Sequence, residues 1–333
     1  MKLPKNEVLS RLESSLRLLG QDRNTVTSYC RTAAHFYDFV REQRPGLNSE
    51  RLAEAFLTMR VRRDDVSAST QNHDLAALNA LFAAFGRKLG NVDALRAKRP
   101  QFARHCPTTP ELMALLRTLA DTPKVPARLM ALTMAATGLR ISECLGARMK
   151  DFRRESDKLH LVVRDPKQAH DRWVPIPAML WPALRGQALH ARRVFAQDQA
   201  RAEPLPIAMP NALARKYPRS AHSVGWMFLF PSPNPQRHPE KKVLMRWHQP
   251  PGDVQHAFSR ACDELERAGQ LVARITPHHL RHWYGTHFNG DLRDLQELMG
   301  HRSIETTALY RHPQLDRASS PLEQFGAQLA LTG

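Results

Sequence analysis

The stretch TPHHLRHWYGTH, residues 276–287, crowds four histidines and one arginine into twelve positions. If the stretch is helical, His278, Arg281 and His282 lie three and four residues apart and share one face. Two kinds of site use such a face: a zinc site with the histidines as ligands, or a pocket for a phosphate group. No acidic or cysteine ligand follows at a suitable spacing, and a guanidinium repels a metal ion but binds a phosphate. We therefore expect a phosphate site without a metal.

The charge of the chain points to a polyanion as its partner. The 333 residues carry a net charge of +17, and both the first third and the remainder are basic. Lysine and arginine attract nucleic acids by neutralising phosphates, although a basic chain can also be one that is merely soluble. With 42% hydrophobic residues, the chain is long and apolar enough for two folded domains and is not a disordered protein.

Membrane and secreted classes are not indicated by the sequence. The N-terminal stretch MKLPKNEVLSRLESS lacks the apolar core of a signal peptide, and no apolar run reaches the length of a membrane span. We therefore expect a cytoplasmic location and no membrane partner. The four cysteines are widely spaced and are expected to be reduced thiols.

The apolar pattern predicts a helical domain over residues 1–95. Leu9, Leu12, Leu16 and Leu19 form one stripe, and a later helical segment within residues 67–90 has Ser69 or Thr70 as its expected cap. The next segment, RAKRPQFARHCP (96–107), has four basic residues, no acidic residue and two prolines. This composition disfavours a helix and suits phosphate contact, so we predict an interdomain linker with Arg99 and Arg104 as DNA contacts.

Residues 108–333 are predicted to mix helices with a small β-hairpin. Thr109 is the expected cap of one helix, and a buried helix is expected to break at Thr137–Gly138. The stretches KLHLVVRD and RWVPIP are short, branched and alternating, which predicts two strands around PKQAHD. From about residue 250 the pattern is helical again. The expected fold class is mainly α with a small β-hairpin or sheet, an α+β second domain.

Two further motifs carry chemistry. In ATGLRISE (136–143), Gly138 permits a sharp turn, Arg140 begins a helix where backbone N–H groups favour an anion, and Glu143 can hold its guanidinium or cap the turn. A surface arginine at a helix junction is an equally good interpretation of this motif alone. In LQELMGHRSIETTALYRH (295–312), His301 follows a glycine and Tyr310 lies nine residues later, although such a tyrosine can simply pack a helix.

The order of these motifs resembles the tyrosine recombinases, also called phage-type integrases. TGLRISE, PHHLRH, LMGH and TTALY match in order and approximate spacing, and the resemblance extends over nearly the whole chain. The resemblance implies a SAM-like helical core-binding domain followed by a mainly helical catalytic domain, the two forming a clamp around DNA. It also implies strand cleavage through a covalent 3′-phosphotyrosyl link, with no ATP, cofactor or essential metal.

The resemblance assigns six catalytic positions: Arg140, Lys167, His278, Arg281, His301 and Tyr310. The two arginines match the pair that grips the scissile phosphate, the two histidines match their partner positions, and Glu143 matches the acidic support of the first arginine. Tyr310 matches the nucleophile, which needs help to lose its proton because a free tyrosine has a pKa of about 10. Lys167, on the hairpin, matches the acid that protonates the leaving 5′-oxygen.

A further stretch resembles the integron integrase branch of this family. ALARKYPRSAHSVGW (212–226) lies in an insertion around 205–250, and RASSPLEQF begins a tail over 317–333 that is also similar. In that branch the insertion implies recognition of folded single-stranded sites through extrahelical bases. The candidates are Trp226, Trp247 and His248 for stacking, and Arg215, Lys216 and Arg219 for phosphates. The alternative is that both tryptophans are core residues.

These patterns predict a site-specific DNA recombinase, of the integron type, that works as a homotetramer on two synapsed DNA sites. Two other functions stay open at this point. A type IB topoisomerase-like enzyme would relax DNA as a monomer, but the insertion and the tail argue against it. A catalytically silent DNA-binding accessory protein would not need the full set of six catalytic positions.

Overall fold

The computed structural model describes residues 3–42, 48–90, 96–97, 105–165, 170–238 and 242–300. The chain divides into two compact units, Met1–Ala103 and Arg104–Gly333. This division falls within the segment 96–107 that the sequence predicts to be a linker. Several predicted site residues lie outside the described residues: Arg99, Arg104, Lys167, His301, Tyr310 and the tail 317–333.

The first unit is built from helices. They are α1 (Lys5–Leu18), α2 (Arg23–Glu42), α3 (Ser49–Arg62) and α4 (Ala68–Ala84). In α1 the buried face holds Leu12 and Leu16, whereas Leu19 lies past the end of the helix and is exposed, so the predicted leucine stripe is one residue too long. The cap of α4 is Ser67, whose hydroxyl accepts the backbone N–H of Thr70, not Ser69 or Thr70 as predicted.

A buried polar network ties three helices of the first unit together. Asp74 on α4 is buried and accepts hydrogen bonds from the Thr32 hydroxyl at 2.8 Å and from Arg60 Nε at 2.9 Å. A buried carboxylate without partners would destabilise the fold, so these two donors make the position of Asp74 acceptable. Around it, apolar residues from all four helices form one core, with Phe36 edge-on to Phe56.

The second unit combines helices with two small sheets. Its helices are α5 (Thr109–Thr118), α6 (Ala127–Thr137), α7 (Ile141–Gly146), α8 (Trp181–Gln199), α9 (Asn211–Lys216), α10 (Pro251–Arg267), α11 (Pro277–His287) and α12 (Leu292–Met299). Its strands are β1 (Phe152–Glu155), β2 (Lys158–Asp165), β3 (His170–Ile176), β4 (Gln236–Arg237) and β5 (Leu244–Met245). The mainly helical fold class with small sheets is confirmed.

The predicted hairpin is present as β2 and β3, which pair antiparallel with Val162 opposite Trp173. A further strand, β1, extends the sheet to the order β1-β2-β3.

Helix α6 is buried along its whole length and packs against α11 in the core of this unit. The cap of α5 is Thr108, one residue before the predicted Thr109. All four cysteines are free thiols. In the described ranges no helix is long and apolar enough to span a membrane.

Candidate active site

Arg140 follows a turn in which Gly138 adopts a left-handed backbone conformation. Helix α6 ends at Thr137, and Gly138 follows with φ +65°, a conformation that residues with a side chain rarely adopt. A Cβ at this position would lie 2.5 Å from Cδ1 of Tyr284, because the tyrosine ring of α11 packs directly on the glycine. The turn therefore requires glycine both for its backbone conformation and for the closeness of the Tyr284 ring. Arg140 follows this turn and lies immediately before α7.

Glu143 fulfils both roles that the sequence offered for it. Its carboxylate accepts the backbone N–H of Arg140 at 2.8 Å and the Nη1 of Arg140 at 2.9 Å. A second guanidinium, that of Arg172, donates from Nη2 at 2.7 Å. Burial alone would raise the pKa of Glu143, but the hydrogen bond and charge of Arg172, together with Arg140, outweigh it and hold this pKa below its ordinary value.

Arg281 is almost completely buried, with 1% of its surface exposed. Its Nη1 donates to the carbonyl of Gly138 at 2.6 Å, and its Nη2 donates to the carbonyl of Met299. The same guanidinium lies 4.0 Å from the Glu143 carboxylate. The structure thus brings the two predicted phosphate-binding arginines to one carboxylate, although Arg140 precedes α7 and Arg281 lies far away in sequence on α11.

The histidines of α11 lie as the helical spacing predicts. His278 is exposed in the first turn, and His282 is buried one turn later with its ring edge-on to that of His278 at 4.7 Å. His279 has a role that the sequence did not indicate, because its Nδ1 accepts the backbone N–H of Thr276 at 3.0 Å and so caps the helix. Burial, and then the neighbouring His105, lowers the pKa of His279. Within the described part of the chain, no three histidine, cysteine or acidic residues are grouped to hold a metal.

Arg172 is the residue of this site that the sequence reading missed. It lies on β3 with 5% of its surface exposed, between the exposed Asp171 and Trp173. Besides Glu143, its Nε binds the carbonyl of Leu298 at 2.9 Å. A signal was available, because alternation along RWVPI puts Arg172 on the same inward side of the strand as Val174 and Ile176. A charged residue in an inward register needs a buried partner.

Three consecutive backbone carbonyls at the end of α12 each accept a hydrogen bond from a different arginine. Arg172 binds Leu298, Arg281 binds Met299, and Arg140 binds Gly300 at 3.4 Å. The last carbonyls of a helix have no partner within it and form the negative end of its dipole, so they attract cations. We call Arg140, Glu143, Arg172 and Arg281 the arginine cluster.

Gly300 ends helix α12 beside the arginine cluster, and His301 is the next residue in the sequence. The φ of Gly300 is +62°, and a Cβ there would lie 3.0 Å from Nη1 of Arg172. The glycine therefore serves both the left-handed end of α12 and the close approach of the arginine.

The sequence also matches known families over both units. Residues 108–317 match the model described as Phage integrase family, and residues 8–89 match the model described as Phage integrase, N-terminal SAM-like domain. The chain belongs to the phage integrase family. Members of this family are tyrosine recombinases, and this chain is a tyrosine site-specific recombinase.

Individual relatives agree with this assignment. A protein of Escherichia coli named Integrase/recombinase is 34% identical over 314 residues, which is 92% of this chain and 89% of that protein. Tyrosine recombinase XerA of Thermococcus onnurineus is 29% identical and covers 92% of this chain and 90% of its own length. The XerH recombinase, solved with its palindromic difH substrate after cleavage, shares the fold with a TM-score of 0.59, 18% identity and 93% coverage of both chains.

In this recombinase the segment 205–250, the predicted insertion, is held by two cations that precede β1. Arg148 donates from Nη1 to the carbonyl of Trp226 at 2.6 Å and from Nη2 to the carbonyl of Ala208 at 2.8 Å. Lys150 Nζ lies 3.5 Å from the centroid of the Trp226 ring. Burial, and then repulsion by Arg164, lowers the pKa of Arg148 to about 10 against the opposing effect of Asp151.

The other predicted stacking residues also have protein neighbours. Trp226 and Trp247 are half-buried and pack against the same apolar cluster, which includes Phe228. His248 donates from Nδ1 to the carbonyl of Gln249 at 2.8 Å and sets its ring edge-on to Phe228. The three predicted phosphate contacts are exposed: Arg215, Lys216 and Arg219. These aromatic residues therefore pack within the protein, and their stacking on DNA bases stays a prediction.

A buried ion pair anchors the same segment, 205–250, to α8. Arg246 lies next to β5 and donates from Nε to the Asp198 carboxylate at 2.6 Å, and both residues are buried. The same guanidinium donates from Nη1 to the carbonyl of Ser232 at 2.8 Å. Such full pairing is what allows both charges to be buried.

Proposed function

We propose that this recombinase cleaves DNA with Tyr310 while Arg140 and Arg281 hold the scissile phosphate, and that its substrates are integron-type sites. The observation that carries the proposal is the convergence of Arg140 and Arg281 on Glu143. Two guanidiniums beside one carboxylate retain a net positive charge, which favours an anion at their open side. Arg140 supplies that side, because 39% of its side chain is exposed.

In the proposed reaction, the Tyr310 oxygen attacks the scissile phosphorus. A bond forms between phosphorus and the tyrosine oxygen, and the bond between phosphorus and the 5′-oxygen breaks. His278, exposed at the start of α11, accepts the tyrosine proton, and Lys167 gives a proton to the 5′-oxygen. The two arginines stabilise the charge on the non-bridging oxygens, which is the main electrostatic contribution to such a transition state.

The reverse reaction rejoins a strand. The phosphotyrosyl bond conserves the energy of the broken phosphodiester bond, so a 5′-hydroxyl from a second DNA can attack it without ATP. His301 completes the phosphate site in this proposal, directly after the Gly300 turn that the arginines hold.

Duplex DNA is the proposed substrate for cleavage and strand exchange. Folded single-stranded recombination sites are proposed as a second kind of substrate. The XerH structure is a complex with its difH substrate. The insertion supports the second substrate through its three exposed cations and its half-buried tryptophans. We further propose a homotetramer on two DNA sites, in which the tail 317–333 docks on a neighbouring subunit, acting in the cytoplasm with Arg99 and Arg104 on the DNA backbone.

The test of cleavage is covalent trapping on a nicked suicide substrate. When the short 5′ fragment diffuses away, the wild-type protein should remain as an SDS-resistant adduct on the DNA. Tyr310→Phe should bind the same DNA with unchanged affinity and form no adduct, because phenylalanine has no nucleophilic oxygen. An adduct with the phenylalanine variant would contradict the assignment, and no adduct with the wild type would support a silent DNA-binding protein.

A further inference from the structure

Arg172 differs from Arg140 in its exposure and from both other arginines in lying outside the family motifs. Arg140 is partly exposed, whereas Arg172 is buried and its Nε and Nη2 are bound to Leu298 and Glu143. Its two bound donor atoms thus hold protein groups, a carboxylate and a helix-end carbonyl. Its contacts join three elements, because Glu143 belongs to α7, Leu298 to α12 and Arg172 itself to β3.

We propose that Arg172 is a positioning residue that sets the geometry and charge of the phosphate-binding arginines. The inference rests on the proposed role of Arg140 and Arg281 in phosphate binding. Glu143 binds Arg140 and Arg172 and lies 4.0 Å from Arg281, so its negative charge is shared. Without Arg172, the negative charge of Glu143 would offset more of the positive charge of Arg140 and Arg281, which have to bind the phosphate.

The arginine cluster carries a net positive charge that matches the charge of the transition state. Three guanidiniums and one carboxylate leave a net charge of +2. A phosphodiester carries one negative charge, and attack by a deprotonated tyrosine adds a second in the transition state. Removal of the Arg172 charge would leave +1, which suits the bound substrate but not the transition state. Loss of Arg172 should therefore slow the chemical step more than it weakens DNA binding.

Arg172 also bears on the geometry at the end of α12. Arg172 fills the space where any side chain at position 300 would lie, and it binds the carbonyl two residues earlier. Loss of the guanidinium leaves the Leu298 carbonyl unpaired and opens a space beside Gly300. The end of α12 then loses one of its three arginine contacts. The carbonyls of Met299 and Gly300, which bind Arg281 and Arg140, are then free to shift.

The experiment compares Arg172→Gln with the wild type in three measurements. They are the affinity for an uncleaved site, the single-turnover rate of adduct formation on the nicked substrate, and the melting temperature. Misplaced catalytic groups commonly slow a reaction by about 100-fold, which is the loss expected here. DNA affinity should change by less than about threefold, since the contacts of Arg172 are to Glu143 and Leu298 and its charge matters most in the transition state. The matched control is Arg154→Gln, which removes an exposed arginine from β1 of the same sheet and should cleave at the wild-type rate.

A methylphosphonate at the scissile position separates positioning from a merely structural role. This substrate lacks one negative oxygen and so needs less charge stabilisation. The defect of Arg172→Gln should shrink to below about tenfold on it, because the missing positive charge matters less. A defect of equal size on both substrates, or a wild-type cleavage rate with only a lower melting temperature, would overturn the proposal.

Arg172→Lys keeps the inference testable if the glutamine variant does not fold. Lysine restores the charge, but a single ammonium cannot donate to Glu143 and Leu298 with the fork geometry of a guanidinium. We expect its cleavage rate to lie between those of the wild type and the glutamine variant, and a wild-type rate would contradict the geometric part of the proposal. Failure of the proposed function is a different result, because the wild-type protein itself would then form no adduct.

Discussion

Arg172 and Glu143 are joined by a hydrogen bond of 2.7 Å between Nη2 and Oε2, and this bond connects strand β3 to helix α7, which begins after Arg140. The pair is largely buried, with side-chain exposures of 5% and 15%. Because the carboxylate also binds Arg140, one acidic residue joins an arginine of its own sequence motif to an arginine of strand β3. A polar network therefore holds Arg140 and Arg281, the arginines proposed to bind the phosphate.

The lowered pKa of Glu143 predicts a pH-dependent stability. Its ionised form is stabilised in the folded state, so its contribution is complete above the unfolded pKa of about 4.3 and is lost as the pH falls through the lower folded value. Glu143→Gln should therefore reduce the free energy of unfolding at pH 7 by about 3 kcal/mol, the cost of breaking a buried ion pair. Urea unfolding at several pH values measures this difference.

The same experiment has a control and a clear contrary result. Glu155→Gln removes an exposed acid from β1 and should leave the unfolding free energy nearly unchanged. Below about pH 4 the gap between the wild type and Glu143→Gln should narrow, because both side chains are then neutral in the unfolded state. A gap that stays constant from pH 7 to pH 3 would show that the carboxylate charge does not stabilise the fold.

Lys167 is predicted to protonate the leaving 5′-oxygen. Lys167→Ala should cleave the ordinary substrate slowly, by about 100-fold or more, because general acid catalysis contributes at this scale. A substrate whose bridging 5′-oxygen is replaced by sulfur should restore the rate, since a thiolate leaves without a proton. Lys158→Ala, at the start of β2, is the control. If the sulfur substrate helps Lys158→Ala and not Lys167→Ala, the acid is Lys158.

The buried pair of Arg246 and Asp198 is predicted to stabilise the second unit only as a pair. Arg246→Met should lower the free energy of unfolding by about 3–5 kcal/mol, because it leaves a buried carboxylate without its partner. The double variant Arg246→Met, Asp198→Leu should recover much of that loss, since neither charge is then buried. Arg192→Met, at an exposed position of α8, controls for the loss of an arginine. Equal losses in the single and double variants would contradict this interpretation.

The elements with local signals were predictable from the sequence. Gly138 and the strands around PKQAHD carry their signals within a few residues, and the structure confirms the helix break and the hairpin. The cap of α5 was misplaced by one residue because Thr108 and Thr109 have the same side chain, and only the backbone decides which of them caps. The cap of α4 was misplaced by two or three residues, since Ser67, Ser69 and Thr70 all carry a hydroxyl. Helix α3 and strand β1 were not predicted, since α3 has its apolar residues diluted by charges and β1 is only four residues long.

The polar network of the site was not predictable in the same way. The hydrogen bond of Arg172 to Leu298 joins residues 126 positions apart, and that of Arg140 to Gly300 joins residues 160 apart. Such contacts depend on how α12 packs against β3, which no periodicity reports. The family motifs identified Arg140, Glu143 and Arg281 individually, but the arginine that connects them lies outside those motifs.

Trp226 is predicted to stack on an extrahelical base of a folded single-stranded site. Lys150 Nζ and Arg148 Cζ lie 3.5 Å and 5.2 Å from the centroid of this half-buried ring, so a base has to use the part of the ring that these cations leave open, or displace one of them. A base stacked on an aromatic side chain contributes about 1–3 kcal/mol, so loss of the ring should weaken binding of a bulged hairpin by roughly 5- to 150-fold. A duplex without bulged bases should be bound by Trp226→Ala almost as well as by the wild type.

The competing role of Trp226 is packing, because its ring contacts the apolar cluster and its carbonyl binds Arg148. Trp226→Phe is the matched variant, since phenylalanine keeps an aromatic face for stacking and loses part of the packing surface. If stacking dominates, Trp226→Phe binds the bulged hairpin nearly normally while Trp226→Ala does not. Binding to both DNAs, measured beside a thermal melt, separates the two roles. Equal loss on hairpin and duplex in Trp226→Ala, with a large fall in melting temperature, would make Trp226 a core residue and leave base recognition to other side chains.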